Sequence, residues 1–229
     1  MKKSKTALSV IGYTLALVLT IISTGAKAQT AKEADSAIKL YGILYYQPHG
    51  LEGSPYLNPE WKPATINLYN GQVAKNIQVK FNRINNDLIY YNEKFKNLFI
   101  VDRNTIDSFT IHSGQNIPMN FIKYSGNGLG YRLKNDDFVH LIYDGKIKFF
   151  AKYSAEITEA NDLNSKDKVF AKNYYFLQND QGLSEIKLKL RSIIKLYPEK
   201  KHELKKIAAH MHFRSHSTSD MMQLIQTFE

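Results

Sequence analysis

Residues 65–91, TINLYNGQVAKNIQVKFNRINNDLIYY, hold the pattern on which the fold turns. Thr65 to Tyr69 runs into Asn70-Gly71, the dipeptide that best supplies the positive φ angles of a tight hairpin turn. From Val73 to Ile84, Ile77, Val79 and Phe81 alternate with Gln78, Lys80 and Asn82, the period of a strand with one buried and one wet face. Asn85-Asn86-Asp87 then makes a turn and Leu88 to Tyr91 a returning strand.

The same grammar continues downstream. Leu98 to Val101, Ser108 to Ile111, Met119 to Tyr124, Tyr131 to Leu133 and Phe138 to Tyr143 read as short strands separated by turn chemistry. Asp144-Gly145 is a second hairpin signal, leading to Lys146 to Phe150; Val169 to Leu177 and Glu185 to Leu190 follow. Short strands without long intervening helices argue against a parallel βαβ sheet and for an antiparallel meander, sandwich or open barrel. At Arg191 the period becomes helical: Ile193, Ile194 and Tyr197 share a face, and Pro198 suits a helix first turn. Leu204, Ile207, Ala208 and Met211 form one apolar stripe, and Met221, Leu224, Ile225 and Phe228 another. The expected fold is therefore α+β, mainly β, closed by a C-terminal two-helix hairpin packed on the sheet.

Upstream, residues 47–63 hold four of the six prolines and the single Trp, at position 61, and read as an extended arm. Ala31 to Ser36 suits a short helix and Ile38 to Tyr46 a strand. Lys2, Lys3 and Lys5, an apolar run from Ala7 to Ser23, and Ala26-Lys27-Ala28 make residues 1–28 an expected secretory signal, with an uncleaved anchor as the other reading. No later segment has the length of a membrane span. The expected organisation is a signal peptide over 1–28, an arm over 29–63, a β domain over 64–190 and a basic helical hairpin over 191–229.

The chain carries 31 Lys+Arg against 21 Asp+Glu and no Cys. Without cysteine there is no disulfide framework, thiol nucleophile, Cys-ligated metal or lipidated cysteine anchor. The positive charge is concentrated: all nine basic residues beyond Ile186 lie between Lys187 and Arg214, where Glu199 and Glu203 are the only acids. On a helical wheel His202, Lys205 and Lys206 face away from the apolar stripe. An exported chain with that face points to envelope lipid, polysaccharide or protein as partner, and not to nucleic acid. A merely solvated helix face is the ordinary reading of the same charges.

Four of the seven histidines fall within 202–216. His210, His212 and His216, with Asp220, have the ligand types of zinc but not its spacing, because the polar break from Arg214 to Ser219 interrupts the helix that would align them. The expectation is no metal and no cofactor. Gly126-Asn127-Gly128-Leu129-Gly130 is not followed by a helix, so it reads as a strand connection and not as a phosphate cradle. Asp136-Asp137 reads as a turn, since neighbours on an extended chain point apart. No nucleophile-elbow or Walker pattern is present, and no catalytic residue is assigned. Of the pairs Tyr45-Tyr46, Tyr90-Tyr91 and Tyr174-Tyr175, one member each is expected to be buried and the other available to a sugar or peptide.

The run Gly53-Ser54-Pro55-Tyr56-Leu57-Asn58-Pro59-Glu60-Trp61, the strand and turn Leu68 to Gln72 leading to Val79-Lys80-Phe81, Leu141 to Lys146, and Ile194 to Lys201 together resemble a group of small exported cell-envelope proteins of unknown function from Gram-negative bacteria. The resemblance implies placement in the envelope and carries over no catalytic residue. The expected function is a non-catalytic binding or interaction module for an anionic or polymeric envelope component. A hydrolase with an unfamiliar active site, the C-terminal histidines being one candidate for it, or a structural subunit of an envelope complex, is the alternative.

Overall fold

A computed structural model describes residues 39–114, 117–160 and 165–229. The expected signal segment and the short helix at Ala31 to Ser36 lie outside the described residues. Twelve strands build one sheet: β1 (Gly42–Leu44), β2 (Leu51–Glu52), β3 (Lys62–Leu68), β4 (Val73–Asn82), β5 (Asp87–Asn92), β6 (Asn97–Val101), β7 (Ile106–Ile111), β8 (Met119–Lys123), β9 (Phe138–Asp144), β10 (Lys148–Thr158), β11 (Asp167–Asn179) and β12 (Gly182–Ile186). Their order across it is β1-β6-β5-β4-β3-β7-β8-β9-β10-β11-β12, with β2 lying parallel on the start of β11 and the other pairs antiparallel. The sheet is open and does not close into a barrel, although Ala155 on β10 donates its N–H to the Arg83 carbonyl just beyond β4 at 3.2 Å. Three helices follow: α1 (Leu190–Leu196), α2 (Lys201–His210) and α3 (Thr218–Phe228). The fold is thus α+β and mainly β.

The β3–β4 turn is the one read from Asn70-Gly71: Gly71 has φ +82 and donates to the Leu68 carbonyl at 2.9 Å. Val79 and Phe81 are buried with Lys80 between them on the other face, as the period requires, but Asn82, expected on the wet face, is also buried, and β5 buries Leu88, Ile89 and Tyr90 in succession. Val79, Phe81, Leu88, Phe109, Ile111 and Phe121 belong to one core cluster, in which the rings of Phe109 and Phe121 stack at 4.7 Å and Phe81 meets Phe121 at 5.0 Å. Each fully buried side chain of this size contributes roughly 1.5–3 kcal/mol. A second cluster packs the stripes Leu204/Ala208 and Met221/Leu224/Ile225/Phe228 onto Phe149, Leu177 and Ile186. Phe150, next to Phe149 on β10, points the other way, into a third cluster with Tyr124, Leu133, Val139 and Phe176. Ile38–Glu229 forms one compact unit.

Four local readings are corrected. Tyr131 to Leu133 is not a strand: Gly130–Arg132 is a 3-10 turn, because both edges of β8 are already taken by β7 and β9 and the Leu129 N–H closes onto the Leu133 carbonyl at 2.9 Å. The β9–β10 connection is a three-residue turn that pairs Asp144 with Lys148, and the Glu229 carboxylate receives the Ile147 N–H (3.1 Å) and the Tyr143 hydroxyl there. The strand placed at Glu185 to Leu190 ends at Ile186, and the chain turns through Lys187 to Lys189 into a helix. The C-terminal region also holds a short helix, α1, ahead of the expected pair.

Candidate functional site

The basic segment is built on helices whose apolar sides are fully used in packing. Ile193 of α1, Leu204 and Ala208 of α2, and four residues of α3 are buried in the second cluster, which turns the remaining faces outward. His202, Lys205 and Lys206 are exposed on α2, as are Lys201 and His210. Arg191 and Lys195 are exposed on α1, and Lys187 and Lys189 flank the buried Leu188 just before it. Two basic residues of this stretch have partners. Lys200 donates to the Phe228 carbonyl at 2.7 Å, tying α2 to α3, and Arg214 grips Asp220. Lys187, Lys189, Arg191 and Lys195 around α1, and Lys201, Lys205 and Lys206 on α2, form no ion pair with any carboxylate among the described residues.

The structure does not bring His210, His212 and His216 together. Among the described residues no three His, Asp or Glu side chains come together as a metal site. The reason is helix capping. α2 ends in a Schellman motif, in which the Phe213 N–H reaches the Ala208 carbonyl (2.9 Å), the His212 N–H reaches that of Ala209 (3.3 Å), and His212 takes the left-handed position with φ +53. His216, also left-handed at φ +70, uses its N–H on the Leu188 carbonyl at 2.7 Å. Ser217 caps α3, its Oγ accepting from the Asp220 N–H at 3.1 Å. Asp220 is committed to structure: Arg214 donates Nε and Nη2 to its carboxylate at 2.9 and 2.8 Å, and these bonds hold the carboxyl well below the usual carboxylate range.

The glycine loop and the acidic pair also serve packing. The loop from Gly126 to Asn135 carries Leu133 into the third cluster and is tied to β12 by Arg132 and Glu185. Asp137 accepts the Lys134 N–H at 2.7 Å and pairs with Lys152 at 2.6 Å, the two side chains being only 10% and 8% exposed. Asp136, by contrast, is exposed in a left-handed turn with φ +65, so the two carboxylates do not face one cleft. Of the tyrosine pairs, Tyr90 is buried and Tyr91 exposed, and Tyr46 is 80% exposed beside a half-buried Tyr45. Tyr174 and Tyr175 differ from the expectation: Tyr174 is buried in the third cluster and Tyr175 packs half-buried on Phe149 at 6.2 Å, so neither is free.

Sequence reading did not find a half-buried histidine. His140 on β9 shares a hydrogen bond of 2.9 Å between Nδ1 and the Tyr153 hydroxyl and lies 5.6 Å from the Phe121 ring. Burial pulls its pKa down to about 4. Its one signal in the sequence is a polar residue between the apolar Val139 and Leu141.

Fold and site together define an open antiparallel-sheet protein that presents a cationic helical face. No protein-family model, curated protein or solved structure matches the chain.

Proposed function

We propose that the protein is an exported, non-catalytic binding module that holds an anionic component of the cell envelope against its α1–α2 face. One observation carries this reading: seven cations between Lys187 and Lys206, five on α1 and α2 and two just before α1, have no carboxylate partner among the described residues, and the apolar sides of the helices are already covered. A like-signed cluster raises the local potential and attracts polyanions and anionic headgroups, with each Lys or Arg near such a surface contributing about 1 kcal/mol. The basic, apolar and small-residue order of residues 1–28 supports export.

The test is sedimentation of the purified protein with phosphatidylglycerol-containing vesicles, with phosphatidylcholine vesicles and with an immobilised acidic polysaccharide, at low and high salt. Retention on one anionic surface that falls steeply with salt is expected. Replacing Lys195, Lys201, Lys205 and Lys206 together by Gln is expected to weaken it by roughly a hundredfold or more. Retention that ignores salt, or that survives the fourfold variant, removes the helical face from the function.

A further inference from the structure

Four of the seven histidines, His202, His210, His212 and His216, lie on or beside the cationic face, and all four are exposed. His202, Lys206 and His210 follow one another at four-residue intervals on α2, so each of these imidazoles has a lysine one turn away, and Lys205 stands three positions from His202. His212 and His216 leave the end of α2 with φ +53 and +70. The His216 N–H on the Leu188 carbonyl, at 2.7 Å, brings that residue beside Lys187 and Lys189. The ring nitrogens of the four form neither a hydrogen bond nor an ion pair among the described residues, whereas those of His112 and His140 bond Thr65 and Tyr153. The acids on the elements packed around them do not offset the cations. On α3, Asp220 is held by Arg214 at 2.8 Å, and Glu229 by the Tyr143 hydroxyl and the Ile147 N–H. On the strands beneath, Asp144 pairs with Lys148 at 3.2 Å and Glu185 with Arg132 at 2.5 Å. Glu199, Glu203 and, in the β11–β12 turn, Asp180 are exposed and form no ion pair among the described residues.

We infer that these four imidazoles make the α1–α2 face an acid-strengthened site, whose hold on an anionic surface tightens as the pH falls from 7.5 to 5.5. The inference rests on the reading of that face as an anion-binding surface and names what regulates it. Imidazole is the side chain whose charge changes in this interval. Each proton taken up adds a positive charge to a face that is already cationic, and one basic group near an anionic surface strengthens the attachment about fivefold. Binding and proton uptake are linked: a surface that favours the charged imidazole is held more tightly when the imidazole is charged.

Sedimentation with phosphatidylglycerol vesicles, and with beads carrying dextran sulfate, tests this at pH 7.5 and 5.5, because phosphodiester and sulfate keep the same charge across that interval. A gain in affinity of roughly tenfold or more at pH 5.5 is expected, with circular dichroism confirming the fold at both values. The gain is expected to vanish in the variant His202→Gln, His210→Gln, His212→Asn, His216→Asn, in which Asn suits the left-handed positions. Should that variant fail to fold, His202→Gln/His210→Gln, confined to exposed helix positions, is expected to lose about half of the gain on a logarithmic scale. Salt-sensitive retention of equal strength at both pH values overturns the inference and leaves the reading of the face intact. A gain that the histidine variants keep in full also overturns it, the proton then being taken up elsewhere. Absence of retention on both surfaces at both pH values overturns the reading of the face and the inference with it.

Discussion

Asn86 illustrates how much one polar side chain holds. It lies buried in the β4–β5 turn with φ +59, its Nδ2 donating to the Phe138 carbonyl at 2.9 Å and its Oδ1 accepting the Phe138 N–H at 2.6 Å. The amide thus pairs with Phe138 as a neighbouring strand would. Arg103 completes the knot, reaching the Asp136 carbonyl at 2.7 Å and the Asp87 carboxylate at 3.2 Å, with its guanidinium 4.9 Å from the Phe138 ring. Asn86→Ala leaves a buried N–H and C=O without partners and is expected to cost roughly 2–4 kcal/mol, read from chemical unfolding. A loss below about half a kcal/mol would show that water replaces the amide freely. Nothing in Asn85-Asn86-Asp87 distinguishes this staple from an ordinary exposed turn, because the partner lies 52 positions away. Lys80 was obscured in the same way: alternation put it on the wet face, but not beside Tyr56 and Trp61, whose ring centres its ammonium approaches at 4.9 and 5.0 Å.

At the scale of elements, what was legible is what repeats locally. The run from Thr65 to Tyr91 declares its strands through its turns and the alternation about Val79 and Phe81, although Asn82 and Ile89 are buried against that alternation, and the C-terminal stripes declare their helices through their period. The loop over the third cluster follows no period. Its shape depends on Leu133 finding a pocket and on Asp137 meeting Lys152, a residue in the middle of an otherwise apolar stretch of β10. Removing one member of that pair leaves a buried charge, so Asp137→Ala and Lys152→Ala are each expected to destabilise by about 3–5 kcal/mol. The double change Asp137→Leu/Lys152→Met is expected to be milder than either, since apolar groups of similar size need no compensation. Hydrogen exchange should localise the single-variant losses to residues 124–137. A double variant worse than both singles would show that the pair carries net stability and not merely mutual neutralisation.

For the molecule as a whole, acid should act first where the two large clusters meet. His140 lies there, with Phe121 of one cluster beside it and Tyr153 bonded to it, and Tyr175 of the other near enough to raise the Tyr153 pKa further. In the unfolded chain this imidazole has its ordinary pKa of 6.5, whereas burial lowers the folded value to about 4. The folded state therefore holds the neutral form and the unfolded state binds the extra proton between those values. Stability from this group is complete above pH 6.5 and is lost as pH falls toward 4, by an amount on the order of 3 kcal/mol. Asp220 and Glu229, whose carboxyls are lowered by their hydrogen bonds, also lose stability in acid, but only below their unfolded values of 3.8 and 4.5. Asp87, raised mainly by burial, acts with the opposite sign, its contribution growing as pH falls through its raised value. The interval between pH 6.5 and about 4.5 is thus governed chiefly by His140. Urea unfolding at pH 7.5 and 4.5 is expected to show a loss of roughly 2–3 kcal/mol in the native chain and little in His140→Phe, which keeps the ring contact with Phe121 but cannot titrate. If the variant keeps the native pH slope, the proton is taken up elsewhere, and the junction between the two clusters is not what acid opens first.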